Sequence, residues 1–140
     1  MISYLRGMRL NTKTSKLPKK EIKKIINTTL EWCSANFGVN NRRKYRFQIS
    51  IKKQLKGEKR YGEFNCISNK MTIFYNNCDN VKDLVTTVIH EYTHYLQPVR
   101  AYYGALAKYF DYNCHPMEIE ARMNEDIYFR KSWKYVKSIL

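Results

Sequence analysis

The stretch Val81-Lys82-Asp83-Leu84-Val85-Thr86-Thr87-Val88-Ile89-His90-Glu91-Tyr92-Thr93-His94-Tyr95-Leu96-Gln97 decides the fold. Leu84, Val85, Val88, Ile89, Tyr92, Tyr95 and Leu96 recur at intervals of three and four and share one broad face. Asp83, Thr86, Thr87, His90, Thr93, His94 and Gln97 share the opposite, polar face. The spacing predicts a helix over 81–97, capped by the asparagine-rich run 76–80 and ended by Pro98.

Inside this helix, His90-Glu91-Tyr92-Thr93-His94 is an HExxH pattern. Residues four apart on a helix lie one turn from each other on one face, so two imidazoles can reach a single ion at roughly 2.0–2.1 Å. Glu91 is turned about 100° from His90, which sets its carboxylate beside such an ion, where it can take a proton from a water molecule. The chain has only three histidines, all between positions 90 and 115, so the pattern is hard to ascribe to histidine-rich composition. A catalytic zinc generally has three protein ligands and an open position, so a third ligand is required. The extended pattern HExxHxxGxxH is excluded, because Gln97 and Arg100 occupy the positions of its glycine and last histidine.

Upstream, Ile22, Ile25, Ile26, Leu30, Cys33 and Phe37 predict an amphipathic helix over 17–37, with Pro18 near its start and Gly38 just beyond its end. Tyr45, Phe47, Ile49 and Ile51 alternate with polar residues, the period of a half-buried strand. Further strands are expected over 60–67 and 71–75, joined by a hairpin at Ser68-Asn69-Lys70, which suggests a small antiparallel sheet. Downstream, a tyrosine-rich connection with Tyr102, Tyr103, Tyr109 and Tyr112 leads to Pro116, which opens a last helix through Glu118, Ala121, Ile127 and Phe129. At 140 residues this makes one α+β domain, 1–140, with residues 1–16 expected as a flexible basic arm.

The HExxH helix followed by His115-Pro116-Met117-Glu118-Ile119-Glu120-Ala121-Arg122 resembles the gluzincin-like metallopeptidases, including small single-domain ones related to phage-immunity and stress-response proteases and those carried by phages. The resemblance covers about 71–127 and implies a minimal zincin-like domain. Its parts would be an N-terminal helix, a three-stranded sheet, the HExxH helix and a C-terminal helix that supplies the third ligand. It also implies a zinc metalloendopeptidase with His90 and His94 as zinc ligands and Glu91 as general base. Families with an alanine three residues after the liganding glutamate point to Glu118 with Ala121, which the size of this chain favours. The thermolysin-type arrangement would select Glu120 and make Asn124 a supporting partner. Residues two apart on a helix point about 200° away from each other, so only one of the two glutamates can face the ion. His115 is a third contender, because the DNA-associated SprT-like proteases use a later histidine. By the same resemblance an extended peptide substrate would pair with the strand 71–75. A tyrosine of the segment 102–112 is a candidate oxyanion donor by location alone, while for any single one of these rings filling the small core is the simpler reading.

Peptide deformylases share HExxH and use an upstream cysteine, for which Cys66 stands in a superficially similar setting. Thr93 replaces their usual aspartate, however, and their glycine-rich N-terminal motif is missing, so Cys66 reads as a small buried residue of the second strand.

Twenty-six Lys and Arg against 12 Asp and Glu give a formal charge of +14. Such a charge draws a protein toward polyanions at low salt, so the alternative reading is a basic nucleic-acid-binding protein. Lys13, Lys16, Lys19, Lys20, Lys23 and Lys24, the run Arg42-Arg43-Lys44 and the pair Lys52-Lys53 would carry it, alone or combined with a SprT-like protease. No zinc-finger or helix-turn-helix spacing accompanies them. Cys33, Cys66, Cys78 and Cys114 form no CxxC pair, and neither a signal peptide nor a membrane span is legible. The expectation is an intracellular, cytoplasmic protein with reduced thiols, in the host cell if viral, whose partners are a protein or peptide substrate and no membrane.

Overall fold

The computed structural model describes residues 7–43, 45–54, 57–98 and 116–140. Helix α1 spans Lys19–Phe37, strands β1, β2 and β3 span Gln48–Lys52, Gly62–Asn65 and Lys70–Phe74, helix α2 spans Val81–Leu96 and helix α3 spans Pro116–Ile139. The architecture is α+β, as the sequence implies. Short 3-10 turns precede α1 at Thr14–Lys16 and follow β3 at Tyr75–Asn77.

Helix α1 begins one residue after Pro18, which acts as N-cap, and stops where Gly38 takes a φ of 82°, a conformation a Cβ would disfavour. Ile22, Ile25, Ile26, Trp32 and Cys33 are its buried face. Asn80 caps α2 by accepting from the Asp83 N–H at 2.9 Å, and Asp83 reciprocates by accepting from the Asp79 N–H at 2.9 Å.

The sheet is mixed rather than antiparallel. Strand order is β1-β3-β2, with β2 and β3 forming the expected hairpin and β1 pairing parallel to β3. Burial explains the order. Met71, Thr72, Ile73 and Phe74 are all buried, so β3 belongs in the middle, while β1 and β2, at most half-buried, flank it. Residues 53–61 can span roughly 30 Å when extended, against about 10 Å for two strand spacings, so the chain steps across the position of β3 without strain.

Two further expectations change. Strand β3 is hydrogen-bonded on both edges, so 71–75 cannot receive a peptide by strand addition; among the described residues β1 and β2 each pair on one side only. Residues 8–16 are no loose arm: Met8 is buried in the core, the Thr14 N–H donates to Asp79, and the N–H groups of Val81 and Lys82 donate to Thr12 and Leu10.

Helix α2 packs on β2 and β3 with one side and on α1 and α3 with others. Its polar face is therefore not a solvent face: Thr87, Glu91, Thr93 and His94 are buried together with the apolar residues. Gly62 allows this closeness, since a Cβ there would lie 2.8 Å from Thr87 Cγ2 and 2.9 Å from the Thr72 carbonyl oxygen. On α3, Phe129, Trp133 and Val136 enter the core, whereas Ile127 is 57% exposed beside the exposed Ile119 and Met123. Among the described residues no helix is long and apolar enough to cross a membrane.

Candidate metal centre

The helical spacing brings His90 and His94 to one side of α2, facing α3, with their Nε2 atoms 3.3 Å apart. Two nitrogens bound at 2.0–2.1 Å to a tetrahedral ion are about 3.3–3.4 Å apart, so the pair is set for one ion. Ligand atoms of His90, Glu91 and His94 lie within 4.8 Å of one another, a group that could hold a metal ion. Glu91 Oε1 is 3.9 Å from His90 Nε2, beside the pair.

Helix α3 brings a carboxylate against both rings. Glu118 Oε1 lies 2.6 Å from His90 Nε2 and Oε2 lies 3.0 Å from His94 Nε2. Glu118 is 5% exposed, and among the described residues its Oε2 makes no hydrogen bond, its nearest polar neighbour being His94 Nε2 at 3.0 Å. A buried, unsatisfied carboxylate oxygen is costly, and it is what a ligand position looks like in a protein without its ion. Ala121, fully buried one turn further on, lets α3 approach α2 this closely. Glu120 points elsewhere: it is exposed and accepts from Gln97 Nε2 at 3.0 Å. His115, Cys114 and the tyrosines at 102, 103, 109 and 112 lie outside the described residues.

Each histidine is held from behind. His90 Nδ1 is 3.0 Å from Glu125 Oε2, and His94 Nδ1 is 2.8 Å from Gln97 Oε1. The Gln97 amide is fixed in turn, because its Nε2 donates to the Met117 carbonyl at 2.9 Å and to Glu120. An acceptor on Nδ1 keeps the proton there and leaves Nε2 to point at an ion, the usual support of a liganding histidine. Neither Glu125 nor the support by Gln97 was read from the sequence. Glu125 is seven residues beyond Glu118, hence on the same helix face, and that spacing was the available signal. Asn124 donates to Thr93 Oγ1 at 3.1 Å instead of supporting a histidine.

The electrostatics follow from burial and these contacts. Burial works against the charged form of His90, but Glu118, Glu125 and Glu91 overcome it and push its pKa up to about 10. His94 is raised likewise, against its burial, by Glu118, Glu91 and Gln97. Glu118, despite burial, is held well below the usual carboxylate range by the two histidines. Burial pushes Glu91 up to about 7, against the pull of His94 and His90, with Glu118 and Glu63 of β2 adding to the rise.

The C-terminal end of α2 is clasped by the segment after α1. Arg43 donates to the carbonyls of His94, Tyr95 and Gln97 at 3.1, 2.8 and 3.0 Å through Nη2, and to Cys66 at 3.3 Å through Nη1. Its guanidinium lies 5.1 Å from the Phe64 ring centroid. Arg43 is thus a helix cap rather than a free surface cation. Asn40 adds bonds to the Tyr95 hydroxyl and carbonyl, and Tyr92 donates to the Gly38 carbonyl. Cys66 is half-buried in the hairpin turn just past β2, not inside the strand, and does not join the convergent group of ligand atoms. Cys33, Cys66 and Cys78 are free thiols.

No protein-family model, curated protein or solved structure gives a match to this chain. What the site does is therefore argued from its own geometry.

Proposed function

We propose that the protein is a zinc-dependent metallopeptidase of the gluzincin-like kind, with His90, His94 and Glu118 as the ligands and Glu91 as general base. The observation that carries this reading is the convergence of His90 Nε2, His94 Nε2 and the buried, unsatisfied Glu118 carboxylate on one point. Two imidazoles and one carboxylate are a donor set suited to zinc, with one position left open for water or substrate. Zinc bound there would lower the pKa of a water molecule toward about 7 and polarise a peptide carbonyl.

The chain's own residues supply the rest. Glu91 is adjacent to the ligands, and burial leaves its carboxylate a stronger base than an exposed one. It takes the proton of the attacking water and returns it to the leaving amine. Gln97 and Glu125 hold the two imidazoles in the ligating tautomer. For an extended substrate the edge strand nearest this chemistry among the described residues is β2, whose Glu63 is close enough to act on Glu91. Glu118 is preferred to Glu120 because Glu120 is engaged by Gln97 and exposed.

Metal analysis with a cleavage assay on unfolded protein substrates tests the reading. About one zinc per chain is expected, lost in His94→Ala and Glu118→Ala and kept in Glu120→Ala. Glu91→Gln should keep the zinc and lose cleavage by a factor of at least about 100. Failure of the wild type to take up zinc would end this reading. Full cleavage by Glu91→Gln would remove Glu91 from it.

A further inference from the structure

We infer that the face built by the start of α1 is a docking surface for the phosphodiester backbone of a nucleic-acid duplex, bound without sequence readout. Two hollows share Lys19 as a common wall. Lys13, Lys53 and Thr14 contribute to one, and Lys20, Lys23 and Lys24 to the other. All six lysines are exposed, and among the described residues only Lys24 of the six has a carboxylate partner, Glu21 at 3.9 Å. Among the described residues, Asp79 is the acidic residue lining the first hollow and none lines the second. Six cations against so little opposing charge form a concave positive field.

Two further observations favour phosphate as the group bound. The N-cap of α1 is Pro18, which has no side chain able to bond the first N–H groups of the helix; its carbonyl accepts from the Glu21 N–H at 3.0 Å, and Glu21 is the acidic residue of the first turn, so it is the N–H groups of Lys19 and Lys20 that remain for an anion. Thr14, which lines the first hollow, is 4% exposed, and its hydroxyl finds no partner among the described residues. Among the described residues the one aromatic ring lining the hollows is Tyr75, and Lys19 already lies over it at 5.7 Å from the centroid. Unstacked bases therefore find no platform, which favours the backbone of a duplex over a single strand.

The face is remote from the ligands. The N-terminal segment joins α2 at its start, through Thr12 and Val81, whereas the segment after α1 clasps α2 at Tyr92 and Tyr95, its far end. The two helices thus run in the same direction, with the lysines at the end away from His94. This inference stands or falls independently of the metal centre.

The experiment is fluorescence anisotropy of the full chain with a 20-base-pair DNA duplex of arbitrary sequence, over a range of salt concentrations. With four to six phosphates engaged, the slope of log K against log salt should be about −4 to −5. Replacing Lys19, Lys20, Lys23 and Lys24 with Gln should reduce that slope by about 4. Replacing Arg130, Lys131, Lys134 and Lys137 with Gln, four exposed cations on α3, makes the same change in net charge and should leave the slope within about one unit. Equal loss in both variants would reduce the effect to net charge and overturn the inference. So would a wild-type slope shallower than about −2, tighter binding to a single strand, or binding to phosphatidylserine vesicles with none to the duplex.

Discussion

His90 Nε2 and Glu118 Oε1 lie 2.6 Å apart across the seam between α2 and α3, while the other nitrogen of His90 meets Glu125 at 3.0 Å. Both ring nitrogens face carboxylates, so without an ion both carry protons and His90 is an imidazolium. An ion entering at Nε2 must displace a proton. The same holds at His94, whose Nδ1 proton is held by Gln97 and whose pKa is also raised.

Zinc uptake should therefore release protons and tighten as pH rises. The raised pKa of His90 contributes stability to the metal-free protein that is complete below about 6.5 and lost as pH climbs through about 10. The lowered pKa of Glu118 contributes stability present above its ordinary value of 4.5 and lost on acidification. Glu91 acts oppositely: raised to about 7, it favours folding in acid and opposes it as it ionises. The metal-free protein should be most stable between about pH 4.5 and 6.5, above the ordinary value of Glu118 and below that of His90. The zinc-induced rise in Tm should grow across the same span. Calorimetry in buffers of different protonation enthalpy checks the proton release; a zinc affinity independent of pH would contradict it.

Gln97→Ala and Glu125→Ala should each weaken zinc binding by about 10–100-fold while leaving the ligands in place. Gln97 ties His94 to α3 through the Met117 carbonyl and Glu120, so its loss frees a ring that one helix otherwise holds against another. Competition titration with a chromophoric chelator measures the change. Glu125→Gln, which can still accept from His90 Nδ1, should retain more affinity than Glu125→Ala; equal losses would mean that the hydrogen bond does not matter.

These supporting residues mark the boundary of what the sequence tells. Helices α1 and α2 and the pair His90 and His94 are legible because period and spacing are local properties. Strand order is not local: it depends on which of three short strands buries most, and β3 wins through Met71 and Ile73. Glu125 carries no motif of its own and acquires meaning only once α3 lies against α2. Arg43 reads as part of a basic run, since nothing nearby in sequence reveals that its partners are carbonyls more than 50 residues away.

Gly62→Ala should destabilise the fold by about 1–3 kcal/mol, the scale of overpacking at a tight contact. The added methyl would meet Thr87 Cγ2 at 2.8 Å and the Thr72 carbonyl oxygen at 2.9 Å, and the second is backbone of the central strand, which cannot move aside. Thr87→Ala in the same chain should recover only part of the loss, because the carbonyl contact remains. Denaturant unfolding checks both. A neutral Gly62→Ala would show that β2 stands further from α2 than the structure has it.

Arg43→Lys should cost nearly as much as Arg43→Ala, at roughly 1.5–3 kcal/mol, because the interaction depends on shape more than on charge. One nitrogen of Arg43 reaches three carbonyls at the end of α2 while another reaches Cys66, and its plane lies against Phe64. An ammonium is a single point with no plane, so Lys can neutralise the helix end but cannot join α2 to the β2–β3 turn. Since His94 is one of the capped residues, loosening this end should also disorder its ring. Zinc affinity should then fall along with unfolding free energy in both variants. If Arg43→Lys matched the wild type in both, the role of Arg43 would reduce to charge at a helix C-terminus, and the His94 end of the site would owe its order to Asn40 and Gln97 instead.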